Sequence, residues 1–136
     1  MKILIFGLPG SGKTTLAKLI LKKIEAVHVN ADEVRERYDD WDFTIEGRTR
    51  QAYRMKYLSD GIVMAGKIAI ADFICPTEAT RKEFNADLRI WMDTIDKGRY
   101  EDTNKLFEKP LEVDLKITEW SSDNDEKLLK LIKENI

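Results

Sequence analysis

The chain has 136 residues, of which 43% are hydrophobic and 35% charged, and its formal net charge is −2. This length allows one domain with one hydrophobic core, but no additional large substrate domain. The small net charge excludes a global basic field for nucleic acid or anionic membranes, although a local basic patch stays compatible with it. The single cysteine, Cys75, excludes an intrachain disulfide framework, and we expect a cytoplasmic protein without a membrane span.

Apolar runs alternate with helical patterns along the whole chain. Strands are predicted at residues 2–6, 27–30, 67–74, 88–93 and 113–118. Helices are predicted at residues 13–24, after Asn30 or Asp32, at 46–64, at 78–86, and from Ser121 or Ser122 almost to Ile136. Residues 94–110 lack clear periodicity and are predicted to be a mobile, lid-like loop. The alternation predicts one domain, residues 1–136, with a three-layer α/β fold. Its parallel five-stranded sheet is flanked by helices and binds ligands beyond the carboxyl ends of the strands.

The stretch GLPGSGKTT, from Gly7 to Thr15, fits the phosphate-binding pattern G-x-x-x-x-G-K-[ST] without a mismatch. Backbone N–H groups of such a P-loop surround phosphate oxygens, and a helix N-terminus points at the anion. Lys13 would supply charge to the β and γ phosphates of ATP, and the Thr14 hydroxyl would bind Mg²⁺. The predicted nucleotide site comprises Gly7, Pro9, Gly10, Ser11, Gly12, Lys13, Thr14 and Thr15. Because a strand precedes the motif and an amphipathic helix follows it, a glycine-rich turn that matches the pattern by chance is disfavoured. A P-loop that binds nucleotide but catalyses no reaction is still a possible interpretation.

Two acidic residues follow the second and third predicted strands. Asp32 would lie past the end of strand two, where a carboxylate can hold a Mg²⁺-bound water or accept a proton from an attacking hydroxyl. A plain helix N-cap is the alternative role for Asp32. Asp72 ends the run KIAIAD, a weak pattern typical of residues that hold Mg²⁺ through water. The predicted metal site is therefore Thr14, Asp32 and Asp72, whereas His28 and Cys75 are predicted to be packed structural residues.

Five blocks of the sequence, read together, resemble the signature blocks of adenylylsulfate kinases. They are GLPGSGKTTLA, NADEVR, DFTIEGRTRQAYRM, FICPTEATR and DKGRY, and their order and approximate spacing match across nearly the whole chain. The P-loop alone is generic, but the combination is much more specific. The resemblance implies transfer of the γ-phosphate of ATP to the ribose 3′-hydroxyl of adenylylsulfate, with Mg²⁺ as cofactor and a homodimer as a possible assembly.

The resemblance also implies roles for individual residues. Asp32 would assist the acceptor hydroxyl and the metal, and Phe43 would stack on the substrate adenine, with Phe107 as a second stacking aromatic. Arginines of the matched blocks would meet phosphate and sulfate. The implied substrate site comprises Asp32, Arg35, Phe43, Arg48, Gln51, Arg54, Ile74, Cys75, Pro76 and Phe107. From the residues alone, Arg35 fits an anion contact and a solvated helix face equally well.

Two departures from the family pattern leave other functions open. Cys75 stands where some members carry a phosphorylated serine, so that side reaction should be absent. The lid-like segment is shorter, and leaves Lys97, Arg99 and Lys105 as candidates for its charge clamp, or as ordinary solvated charges. One alternative is a polynucleotide 5′-kinase or another small P-loop kinase, although the chain lacks a basic track for a strand and nucleic acid is not an expected partner. The other is a nucleotide-binding protein without catalysis.

Overall fold

The computed structural model describes residues 1–136, and it contains one five-stranded parallel sheet. The strands are β1 (Lys2–Phe6), β2 (Val27–Asn30), β3 (Ala69–Asp72), β4 (Leu88–Met92) and β5 (Leu115–Ile117). The helices are α1 (Lys13–Leu21), α2 (Ala31–Tyr38), α3 (Ile45–Met64), α4 (Glu78–Phe84), α5 (Glu101–Leu106) and α6 (Asn124–Glu134). The strand order is β2-β3-β1-β4-β5, and the predicted three-layer P-loop fold is confirmed.

The sheet is covered on both faces, which explains why its central strand reads as an unbroken apolar run. All five residues of β1 are buried. Ile3 and Ile5 belong to a core cluster that also includes residues of α1 and α6. Leu4 and Phe6 belong to a second cluster with residues of α3 and α4, because alternate side chains of a strand point to opposite faces. None of the helices is both long and apolar enough to cross a membrane.

Short polar side chains define where two helices of the site begin. The Asn30 side chain accepts a hydrogen bond from the backbone N–H of Glu33 (3.0 Å) and caps α2. The Thr44 hydroxyl accepts one from Gly47 (3.2 Å) and caps α3. Both contacts satisfy backbone donors that an α-helix leaves unpaired at its first turn. Asn30, not Asp32, is therefore the cap of α2, and the carboxylate of Asp32 is not used for that purpose.

Several predicted boundaries are wrong, mostly because the predicted elements are too long. The elements predicted at 13–24, 67–74, 78–86, 88–93 and 113–118 are Lys13–Leu21, Ala69–Asp72, Glu78–Phe84, Leu88–Met92 and Leu115–Ile117. The final helix begins at Asn124, not at Ser121 or Ser122, because the Ser121 hydroxyl bonds to the Asp123 carboxylate and caps no helical N–H. Residues 94–110, predicted as a loop, contain the short helix α5, which has a single buried residue, Thr103.

Candidate active site

The P-loop connects β1 to α1 at the carboxyl edge of the sheet. Gly10 and Gly12 have φ of +86° and +102°, a left-handed conformation that glycine adopts without strain. A Cβ at Gly7 would lie 2.6 Å from the Met92 carbonyl oxygen, so only glycine fits where the loop passes the end of β4. Gly12 precedes α1 and no side chain caps this helix, which leaves its first N–H groups available to an anion.

Two neighbouring segments lie against the P-loop. The Thr94 hydroxyl, just past the end of β4, donates a hydrogen bond to the Ser11 carbonyl (2.7 Å). The indole ring of Trp120, in the loop between β5 and α6, fills the space that a Cβ at Gly12 would occupy. Trp120 is nevertheless 56% exposed. The P-loop is therefore held by the ends of β4 and β5 as well as by its own chain.

Lys13 is buried under the loop that its motif predicts. Its Nζ donates a hydrogen bond to the Leu8 carbonyl oxygen (2.9 Å). Burial lowers the pKa of Lys13 to about 8, and the nearby carboxylates of Asp72 and Asp32 partly offset that decrease. A polyphosphate bound in the loop would add negative charge beside Nζ and favour the ammonium form. The structure thus brings Lys13 into the electrostatic range of both predicted metal-binding acids.

Asp72 lies at the centre of a hydrogen-bonded group that we call the Asp72 cluster, made of Thr14, His28, Asn30 and Asp72. Asp72 is only 2% exposed. Its Oδ2 atom lies 2.7 Å from Nε2 of His28, 2.9 Å from Nδ2 of Asn30 and 3.0 Å from Oγ1 of Thr14. The other carboxylate oxygen, Oδ1, has one longer contact, 3.3 Å from Oγ1 of Thr14. Thr14 and Asp72, two of the predicted metal ligands, are therefore adjacent.

The chemistry of the site residues fits a magnesium ion. Mg²⁺ prefers oxygen ligands, and usually keeps several waters while one or two carboxylates and substrate phosphates supply the rest. The structure offers the Thr14 hydroxyl and the adjacent Asp72 carboxylate, while the Asp32 carboxylate is near enough to Lys13 to affect its pKa. The buried Asp72 forms no ion pair with a Lys or Arg, and its closest basic partner is His28 at 2.7 Å. No group of three or more His, Cys, Asp or Glu side chains forms an all-protein metal cage, which agrees with this mode of binding.

Three arginines predicted to bind substrate meet at the loop between α2 and α3, which carries Phe43. The Arg35 guanidinium lies 4.2 Å from the centroid of the Phe43 ring and donates to the carbonyls of Asp40 (2.9 Å) and Asp42 (3.2 Å). Nε of Arg48 donates to the Phe43 carbonyl (2.8 Å). Phe43 itself is 48% exposed, so part of its ring remains open to a ligand beside these cations.

Other contacts of these arginines lie within the chain. Arg54 donates to Oδ2 of Asp40 (2.8 Å), while its guanidinium lies 4.3 Å from the Tyr38 ring centroid. Nη2 of Arg48 lies 3.1 Å from both Oδ2 of Asp102 and Oγ1 of Thr103, so it links α3 to α5. An acceptor anion at Arg48 would compete with the Asp102 carboxylate, which is 70% exposed.

The remaining predicted substrate residues are more deeply packed. Gln51 is buried and donates from Nε2 to the Ala31 carbonyl (2.8 Å), and its Oε1 atom has no protein partner. Burial raises the pKa of the Cys75 thiol to about 12, which agrees with a packed cysteine and not a nucleophile. Ile74 and Pro76 flank it in the loop after β3. Phe107 packs between Phe6 and Trp91, with ring centroids 6.5 and 6.4 Å apart.

Arg81 ends the block FICPTEATR, but the sequence analysis assigned it no role. Its side chain is completely buried, and its guanidinium donates to the carbonyls of Cys75 (2.9 Å), Pro76 (3.2 Å) and Glu108 (2.7 Å). It also pairs with Oε1 of Glu78 (3.0 Å). Because Glu108 lies in the lid-like segment, near its end, Arg81 joins that segment to the loop after β3. Lys97, Arg99 and Lys105 are exposed in the lid-like segment itself.

The parallel sheet, the intact P-loop and the adjacent carboxylate at the end of β3 define the chain as a P-loop kinase by fold. A shikimate kinase of Aquifex aeolicus has this fold, with a TM-score of 0.70 and 15% identity over 99% of this chain and 98% of that one. The family model for adenylylsulphate kinase matches residues 1–118. The chain therefore belongs to the adenylylsulphate kinase family, as its sequence blocks predicted. No curated protein sequence matches it.

Solved adenylylsulphate (APS) kinases share its architecture. An APS kinase of Mycobacterium tuberculosis, solved in complex with AMPPNP and APS, has a TM-score of 0.77 and 20% identity over 97% of this chain and 95% of that one. A hexameric APS kinase of Thiobacillus denitrificans has a TM-score of 0.75 and 22% identity over 98% of this chain but only 29% of its own. At these identities the likeness shows the fold alone.

Proposed function

We propose that the protein is an adenylylsulfate kinase that transfers the γ-phosphate of ATP to the 3′-hydroxyl of adenylylsulfate. The observation that carries the proposal is the family match over residues 1–118. The geometry supports it, because an intact P-loop follows β1, and a loop with the exposed aromatic ring of Phe43 is bordered by arginines of α2 and α3. That the APS kinase of Mycobacterium tuberculosis was solved with AMPPNP and APS is consistent with two such substrates.

The donor side of the reaction would use the P-loop and the Asp72 cluster. Backbone N–H groups of the loop and of the first turn of α1 bind the phosphate oxygens of ATP, and Lys13 adds a positive charge beside them. Thr14, Asp72 and Asp32 would hold Mg²⁺. When bound, this ion neutralises charge that develops on the β and γ phosphates. Most of the rate enhancement would come from positioning and electrostatic stabilisation.

On the acceptor side, the adenine of adenylylsulfate would stack on Phe43 while arginines contact its phosphate and sulfate. The oxygen of the 3′-hydroxyl would form a bond to the γ-phosphorus, and an oxygen of the Asp32 carboxylate would accept the proton of that hydroxyl. The bond from that phosphorus to the bridging oxygen breaks, and ADP leaves with the electron pair. Arg35, Arg48 and Arg54, which now bond to the loop between α2 and α3, would hold the acceptor. Phe107, Gln51 and the backbone of residues 74–76 would complete its pocket. A cytoplasmic location and a homodimer belong to the same proposal by analogy with the family.

A coupled ADP-release assay tests the proposal directly. Purified protein with Mg²⁺ and ATP should release ADP at a rate that depends on adenylylsulfate. Phosphate transfer to an oligonucleotide with a free 5′-hydroxyl, or to another small alcohol such as shikimate, would instead identify a different P-loop kinase. Nucleotide binding without transfer to any of these acceptors would leave a non-catalytic nucleotide-binding protein and overturn the proposal.

A further inference from the structure

We propose that His28 is a positioning residue for the metal–nucleotide site. Together with Asn30, it holds one oxygen of Asp72 and leaves the other free to face the cation. This inference rests on the proposed function only in so far as it requires a Mg²⁺–nucleotide site, and it does not depend on the identity of the acceptor. The sequence alone predicted a merely structural histidine.

The two oxygens of the Asp72 carboxylate have different surroundings. Oδ2 has three contacts, at 2.7, 2.9 and 3.0 Å, from His28, Asn30 and Thr14. Oδ1 has only one contact, 3.3 Å from Oγ1 of Thr14, and this distance is longer than that of a usual hydrogen bond between two oxygens. Donors on β2 therefore fix the carboxylate by Oδ2. The less occupied oxygen, Oδ1, remains for a cation or its bound water.

The topology of the sheet explains how His28 reaches this carboxylate. β2 is an edge strand paired with β3, and Asn30 lies opposite Asp72 in the register. His28 is two residues before Asn30, so both side chains lie on the same face of β2. The Asn30 amide also lies 3.3 Å from Oγ1 of Thr14. The Asp72 cluster thus forms a continuous polar connection from the sheet edge to the start of α1.

A positioning role is distinguishable from simple satisfaction of a buried charge. Hydrogen bonds to the residues that bind a metal orient those ligands, and their loss typically reduces metal affinity or activity 10- to 100-fold. If His28 only compensates the burial of Asp72, its replacement should lower stability and leave the Mg²⁺ dependence of nucleotide binding unchanged. If it positions Asp72, the Mg²⁺ dependence should change even in a folded variant.

The test compares His28→Gln with His28→Leu by calorimetric titration of ADP at a series of Mg²⁺ concentrations. Glutamine keeps an N–H donor close to the place of Nε2, whereas leucine fills similar space without a donor. We expect His28→Leu to raise the Mg²⁺ concentration for half-maximal ADP binding about tenfold, and His28→Gln to stay within about twofold of wild type. Val27→Thr, at an exposed position of the same strand, is the matched control and should leave the titration unchanged.

A spectroscopic measurement on the wild-type protein keeps the inference testable if a variant does not fold. His28 is the only histidine in the chain, so ¹⁵N-detected imidazole signals need no assignment. We expect the Nε2–H tautomer, with an Hε2 signal protected from solvent exchange that shifts when Mg²⁺ and ADP are added together. An Nδ1–H tautomer, or no change on addition of Mg²⁺ and ADP, would overturn the inference.

The outcomes also separate this inference from the proposed function. An altered Mg²⁺ dependence in His28→Leu without any adenylylsulfate-dependent ADP release would support the positioning role and refute the proposed acceptor. Adenylylsulfate-dependent ADP release, together with a wild-type Mg²⁺ dependence in His28→Leu, would support the proposed acceptor and refute the positioning role.

Discussion

Replacement of Arg81 by methionine should destabilise the protein strongly and loosen the acceptor side of the site. The change removes a buried guanidinium and keeps most of the apolar stem. Three carbonyl oxygens, those of Cys75, Pro76 and Glu108, lose their donor, and Glu78 loses one of two arginine partners. The ring of Phe6 loses a cation whose guanidinium lies 4.6 Å from its centroid.

The expected cost follows from these contacts. Each net hydrogen bond contributes about 1 kcal/mol, and removal of one partner from a buried ion pair typically costs about 3–5 kcal/mol. We therefore expect the free energy of unfolding to fall by about 3–5 kcal/mol. With a urea m-value of about 2 kcal/mol/M, the unfolding midpoint would decrease by roughly 1.5–2.5 M. Arg81→Lys should recover little of the lost stability, because an ammonium group cannot donate to several carbonyls at once as the planar guanidinium does.

Arg89→Met provides the matched control for this prediction. Arg89 pairs with the same Glu78, at 3.2 Å, but its side chain is partly exposed and donates only this one hydrogen bond. Its replacement should cost about 1 kcal/mol or less. Urea unfolding followed by circular dichroism would measure both variants. Equal losses in Arg81→Met and Arg89→Met would refute the reasoning that the buried contacts of Arg81 join the lid-like segment to the loop after β3.

Three further predictions concern the chemistry of the site. Asp32→Ala should reduce turnover by orders of magnitude while ATP affinity stays nearly intact, and wild-type rates in a steady-state assay would refute its role as proton acceptor. Phe43→Leu should raise the KM for adenylylsulfate about 10-fold or more by loss of stacking, with the KM for ATP as the unchanged control. Folding lowers the pKa of Lys13 from 10.5 to about 8, so the unfolded chain binds more protons between these values. The stability of wild type relative to Lys13→Met should therefore increase as the pH rises through this window; a flat difference in urea unfolding would contradict it.

The sequence was sufficient for the fold and the P-loop because those features are encoded locally. β1 is apolar at nearly every position since both its faces are buried, and the glycines of the P-loop are required at adjacent positions of one turn. The position of Asp72 beside Thr14 also follows, because β3 pairs with β1, and the P-loop and α1 follow directly from the end of β1. Boundaries were less accurate, since a helix or strand ends where tertiary contacts end and not only where the pattern does.

Residues defined by contacts distant in sequence could not be predicted in the same way. The helix α5 is only six residues long and is held by Arg48 and by paired hydrogen bonds between Gly98 and Asn104. Arg81 is one of many charged residues in helical segments, and nothing in its local pattern signals complete burial. His28 lies 44 positions from Asp72 in the chain, and only the register of β2 against β3 brings them together.

Because Trp120 lies against Gly12, the intrinsic tryptophan fluorescence of the protein should respond to a ligand in the P-loop. Of the three tryptophans, Trp91 is buried in the core, whereas Trp120 and Trp41 are each about half exposed. Trp120 contacts the loop that would bind phosphate, and Trp41 lies two positions before Phe43 in the segment that would bind the acceptor. Intrinsic emission from two single-tryptophan proteins, with phenylalanine at the other positions, could therefore follow the arrival of each substrate separately and reveal the order in which they bind.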